Sequence, residues 1–222
     1  MNLPALSLLE TRVLGVLVEK QRTVPDAYPM SLNAVTTGCN QKTSRDPVIT
    51  ASDGEVQATL DRLKDLSLVM ESSGGRVMRY AHNTERVLGV PAQAAAILAV
   101  LMLRGPQTVA ELRINTDRLH RFADTSAVEG FLHELHERPA GPLVLELPRQ
   151  AGAREPRWMH LVSGPPAAAF GEPVAPAEEA SDPIAIGEMH ALRANVRDLQ
   201  AEVAALRATV ARLCSELGIP GP

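Results

Sequence analysis

Apolar positions recur at helical spacing at Leu9, Val13, Val16 and Leu17, then at Leu32 and Val35, then at Val56, Leu60 and Leu63. Each run is opened by a residue that caps helices. Ser7-Leu8-Leu9-Glu10 and Ser52-Asp53-Gly54-Glu55 are capping boxes, in which the serine oxygen accepts from an early helical N–H and the glutamate reaches back to the serine. Ser31 opens the short middle run, which should stop around Gly38 to Asn40, and Val24-Pro25 ends the first near Arg22-Thr23. After Leu63 the period shortens. Leu68–Glu71 and Arg76–Tyr80 read as two strands joined by Ser72-Ser73-Gly74-Gly75, a stretch able to turn. Helix, helix, connector, helix, hairpin is the order of a winged helix-turn-helix, expected over residues 1–86.

The order repeats over residues 87–162. Pro91 starts an apolar helix, Ala92 to Leu103, stopped by Arg104-Gly105-Pro106-Gln107. Thr108-Val109-Ala110-Glu111 is a capping box for a short second helix through Leu112. Ser126-Ala127-Val128-Glu129 is expected to cap a third, with Val128, Leu132 and Leu135 taking the spacing of Val56, Leu60 and Leu63. Leu143–Leu147 and Arg157–Val162 are expected as strands around a turn. The uncharged run from Val87 to Leu103 contains Gly89, Pro91 and Gln93 and falls short of the roughly 20 apolar residues that span a bilayer, so it reads as a buried core helix.

Residues 163–187 are rich in Pro, Ala, Gly and acids and read as a linker. Beyond it, residues 188–217 carry heptads. Met189, Val196, Val203, Val210 and Leu217 share one position, and Leu192, Leu199, Leu206 and Leu213 the other. Valine at a with leucine at d favours a parallel two-stranded coiled coil, so a homodimer is expected; a helix folded back on its own body is the competing arrangement. The expected fold class is mainly α with small β-hairpins (α+β): two tandem winged helix-turn-helix domains, a linker and a C-terminal coiled-coil helix.

Composition narrows the chemistry. Formal net charge is −4, which argues against indiscriminate binding to nucleic acid or anionic membranes while leaving room for a local basic patch. Aromatics make up only 3% of the chain, so aliphatic and alanine packing must fill the core. Glu10 and Arg12 interrupt the early apolar run, so no signal peptide is expected. Cys39 and Cys214 lie far apart with no CxxC, which fits a reduced, cytoplasmic setting and neither a disulfide framework nor a zinc knuckle.

Tyr28-Pro29-Met30-Ser31-Leu32-Asn33-Ala34 and Asn40-Gln41-Lys42 to Pro47 resemble the YceH-like family of bacterial proteins. Leu14-Gly15-Val16-Leu17, Glu55-Val56-Gln57, Arg104-Gly105-Pro106-Gln107-Thr108, Glu111-Leu112-Arg113 and Arg121-Phe122-Ala123-Asp124 extend the resemblance over roughly Leu9 to Leu161. Asp46 stands where the family pattern leads us to expect Glu, and Thr43-Ser44 replaces a Ser-Asn pair. The resemblance implies two tandem winged-helix domains; it implies no catalytic residues.

A DNA-binding, regulator-like role would place the third helix of each half in the major groove and the hairpin on the backbone of double-stranded DNA. The donors available for it are Gln41, Lys42, Ser44, Arg45, Gln57, Arg62, Lys64, Arg76 and Arg79, with Lys42 and Arg45 as backbone contacts. Against this, the third helix also presents Glu55, Asp61 and Asp65, and its counterpart holds Glu129, His133, Glu134, His136 and Glu137. Arg113, Arg118 and Arg121 are better placed for an anionic partner. The alternative is therefore an adaptor that holds protein partners through the same modules. Asn33, Asn40 and Gln41 also suit a structural role, closing turns. The spacing of His133 and His136 is not that of a metal motif, and no nucleophile–base signature or phosphate loop is present, so no metal, cofactor or catalysis is expected.

Overall fold

The computed structural model describes residues 3–73, 77–149 and 154–165. The first half opens with helix α1 (Leu8–Thr23), followed by a two-residue strand β1 (Met30–Ser31) and helix α2 (Leu32–Cys39). Helix α3 (Asp53–Asp65) then leads into strands β2 (Val69–Ser72) and β3 (Arg79–His82). A short helix α4 (Thr84–Leu88) ends at Gly89, whose φ of +62° is left-handed. The second half contains α5 (Ala92–Arg104), α6 (Val109–Thr116), α7 (Thr125–His136), β4 (Val144–Glu146) and β5 (Trp158–His160). The fold is α+β, helices with two small antiparallel sheets.

The three capping boxes form as the sequence dictates. Ser7, Ser52 and Thr108 donate their backbone N–H to Glu10, Glu55 and Glu111 at 2.6, 2.7 and 2.9 Å, and each hydroxyl accepts from the glutamate's own N–H. The fourth expectation fails. Asp124, not Ser126, caps α7, accepting from Ala127 N–H at 2.8 Å; Ser126 lies inside the helix. Helix α6 also runs on past Leu112, because Thr116 Oγ1 donates back to the Leu112 carbonyl at 2.7 Å and Thr116 is buried.

The first sheet has order β1-β3-β2, with Met30 opposite Tyr80 and Val69 opposite His82. Its strands lie further along the chain than Leu68–Glu71 and Arg76–Tyr80. The Leu68 N–H is spent closing α3 onto the Leu63 carbonyl at 2.9 Å, so pairing begins one residue later. The second hairpin pairs Val144 with His160 and Glu146 with Trp158, shorter at both ends than expected.

The expected division near residue 86 does not separate two cores. One apolar cluster takes in Val13, Leu14 and Leu17 of α1, Val56, Leu60 and Leu63 of α3, and Val128, Leu132 and Leu135 of α7. Helix α5 joins them. Every residue from Ala94 to Leu103 is buried, because α1 packs on one side and α6, α7 and β5 on the others. A helix apolar all round demands such surroundings. Gly15 permits the contact: a Cβ there would lie 2.9 Å from Leu103 Cγ. The linker 163–187 (apart from 163–165), the heptad residues from Met189 to Leu217, the Gly74-Gly75 turn and Arg76 lie outside the described residues.

Candidate functional site

The connector between α2 and α3 is held from three sides. Asn40 joins its two ends, donating from Nδ2 to the Ala51 carbonyl and accepting Ala51 N–H on Oδ1, both at 2.8 Å. From α1, Arg12 reaches under it, with Nη1 on the Cys39 carbonyl at 3.2 Å and Nη2 on the Pro47 carbonyl at 2.6 Å. From α5, the Leu103 carbonyl accepts Asp46 N–H at 2.8 Å, and Arg104 Nη2 donates to Ser44 Oγ at 2.8 Å.

Arg45 turns inward at the centre of this connector. Its guanidinium is 0% exposed and pairs with Glu19 of α1 at 2.7 Å. The remaining donors go to the Gly38 and Ser44 carbonyls and to Gln41 Oε1. Arg45, buried and paired, is thus not free to make the backbone contact expected of it, whereas Gln41 and Ser44 are half-buried and bond within the connector. Desolvation raises the Glu19 pKa, but the hydrogen bonds and charge of Arg45 outweigh it and hold the carboxyl below its ordinary value. Arg12 is lowered by burial and then by Arg45, and burial pushes the neighbouring Cys39 thiol up to about 12.

The outward face of α3 is electrostatically spent. Lys64 contacts Asp61 at 3.0 Å and Glu71 of β2; the Glu71 hydrogen bond, then that of Asp61, raises its pKa. Asp61 is in turn lowered by Lys64 and then by Gln57. Gln57 donates to Asp61 at 3.2 Å and accepts from Tyr80 Oη at 3.0 Å. Arg62 reaches Glu10 at 2.6 Å. The helix carries four carboxylates, Asp53, Glu55, Asp61 and Asp65, against two cations, Arg62 and Lys64. Two of the candidate cations stay exposed with no carboxylate partner among the described residues: Lys42, and Arg79, which donates to the Pro29 carbonyl at 2.8 Å.

In the second half the outward face of α7 presents Glu129, His133, Glu134, His136 and Glu137. The two imidazoles pack edge-on against Trp158, with centroids 5.7 and 6.1 Å away, and His136 Nδ1 sits 3.1 Å from the Val144 carbonyl. Glu129, Glu146 and Glu155 line a small cleft of about 260 Å³ beside them. Arg113, Arg118 and Arg121 are exposed on the α6 side; Arg113 donates to the Ala123 carbonyl and Arg121 lies 3.8 Å from Asp117. Among the described residues no group of three or more metal-ligating side chains forms, and no helix is long and apolar enough to cross a membrane.

Residues 6–153 match the family described as "Protein of unknown function, DUF480". The chain belongs to the DUF480 family. It is 61% identical over 217 residues to a UPF0502 protein of Methylibium petroleiphilum, a match covering 98% of this chain and 92% of the relative. A UPF0502 protein of Dechloromonas aromatica is 60% identical over 205 residues, covering 92% and 94%, and one of Leptothrix cholodnii is 56% identical over 211 residues, covering 95% of each. The YceH-like resemblance agrees with this membership.

Two residues of this DUF480 chain that build the site were not among the sequence candidates, Arg12 and Glu19. Their signal was positional. Arg12 is three residues after Leu9 and four before Val16, and Glu19 is three after Val16, so both fall on the inner face of α1. A charge on an apolar face calls for a buried partner.

Proposed function

We propose that the chain is a non-enzymatic, cytoplasmic tandem winged-helix protein that holds protein partners through the outward faces of its two halves, acting as a dimer through residues 188–217. The observation that carries this reading is the pairing on α3. The two cations that would face phosphates, Arg62 and Lys64, are already matched with Glu10, Asp61 and Glu71, and unmatched carboxylates remain. Affinity for a duplex comes largely from releasing its counterions through free cations, and α3 offers almost none. From the sequence alone duplex recognition ranks first; the ion pairs on α3 support placing the adaptor reading ahead of it. The coiled-coil part of the proposal rests on the heptads from Met189 to Leu217, where Val at a and Leu at d suit two parallel strands.

Salt-titrated fluorescence anisotropy with a mixed-sequence duplex tests the reading. Expected is no binding, or binding flat with salt, at about 50 mM salt. Affinity falling steeply with salt would overturn it. A duplex-binding reading retains one supporting observation, the acid-free Lys42 and Arg79. Under that reading, replacing both by alanine reduces the log–log salt slope by about 2.

A further inference from the structure

A groove of about 720 Å³ lies where three stretches meet: the C-terminal end of α3 with Leu66 and Ser67, the segment from Arg86 to Gly89, and the loop from Arg138 to Leu143. Residues Leu3–Ala5 border it, anchored by the Leu6 N–H on the Val162 carbonyl at 2.8 Å. The volume is in the range of small-molecule sites. Leu66, Val87 and Leu143, each partly buried against the core, give it apolar walls.

Its charge is one-sided. Arg86 and Arg138 line the groove against a single carboxylate, Asp65. Arg138 Nη2 donates to the Leu88 carbonyl, which orients the guanidinium without neutralising it. Arg86 is exposed and has no ion-pair partner among the described residues. Two planar cations beside aliphatic walls are the chemistry that recognises a carboxylate carried on an apolar body, since the guanidinium fork accommodates both carboxylate oxygens.

We propose that this groove binds a free amphipathic carboxylate, its head on Arg86 and Arg138 and its aliphatic body along Leu66, Val87 and Leu143. The proposal does not depend on what α3 holds. It does place the ligand against the end of α3, so occupancy bears on the helix that presents the outward face described above.

Isothermal titration of the full chain with decanoate tests it, with decanol and acetate as controls. Expected is saturable binding of one decanoate per chain, with decanol and acetate each weaker by about tenfold or more. Arg86→Gln, an exposed position, should weaken decanoate about tenfold and leave thermal unfolding unchanged. Ala140→Trp, exposed at the rim, should abolish binding by filling the groove. No decanoate heat up to about 1 mM, equal affinity for decanol, or undiminished binding by Arg86→Gln would each overturn the proposal.

Discussion

Replacing Glu19 by glutamine should cost the protein about 3 kcal/mol, the low end of what removing one member of a buried ion pair costs. The Glu19 carboxylate accepts from Arg45 Nη1 at 3.2 Å and Nη2 at 2.7 Å, and the guanidinium it serves is fully enclosed. Glutamine keeps an acceptor but not the charge, leaving Arg45 with two carbonyls and the Gln41 amide for company. Urea slopes for a folded unit of this size are about 2 kcal/mol per molar, so the midpoint should fall by roughly 1.5 M. Two probes read the transition. Far-UV circular dichroism follows all helices, whereas the one tryptophan, Trp158, is on β5 in the second half. Because α1 and α5 share one core, both signals should move together. A Glu19→Leu, Arg45→Met double variant should recover only part of the loss: an apolar pair avoids the desolvation cost, but the Gly38 and Ser44 carbonyls lose their donor. A midpoint change under about 0.3 M would refute the account of the buried pair. A shift in dichroism without one in tryptophan fluorescence would refute the shared core.

Two further predictions concern packing and pH. Gly38→Ala puts a Cβ 2.6 Å from Val16 Cγ1, so overpacking of about 1–3 kcal/mol should outweigh the gain of about 1 kcal/mol in helix propensity, whereas Gly54→Ala, with open space around it, should stabilise. Thermal melts of the two variants moving in the same direction would contradict this. Burial pushes His82 and His160 down to about 4, so both are neutral in the folded chain where the unfolded chain begins to protonate. Stability should be level above about pH 6.5 and fall from there towards pH 4, by roughly 3 kcal/mol for each histidine, then flatten with respect to these groups. His82→Gln should shallow that slope; an unfolding temperature that stays constant from pH 7 to about 4.5 would be the opposite result.

Local chemistry was legible in the sequence wherever a short-range rule decided the outcome. Ser7, Ser52 and Thr108 each sit three residues before a glutamate, and each forms its box. Ser126 satisfies the same pattern with Glu129 and still loses to Asp124, which lies first along the chain and takes the N–H of Ala127. Strand β1 escaped because two residues carry no period, and it exists only through its pairing with Arg79 and Tyr80 far along the chain. Arg45 was misread for a related reason. A basic residue in a polar connector reads as solvent-facing, and only the approach of Glu19, 26 positions earlier, makes its burial tolerable. The shared core had a clue in α5, whose apolar residues cover every side of the helix. A helix of that kind cannot belong to the edge of a separate small domain.

The close approach of α1 and α5 at Gly15 and Leu103 has a bearing on how such a chain can be divided or recombined. Cutting it after Arg86 would take α5 off the face of α1 that carries Gly15 and leave Leu103 and its buried neighbours on α5 open to water, so neither piece is a portable module. Trading one half for that of another protein would require the seam to be rebuilt atom for atom on both sides. Whatever likeness the two halves have in element order, their described residues close around one core and stand or fall together.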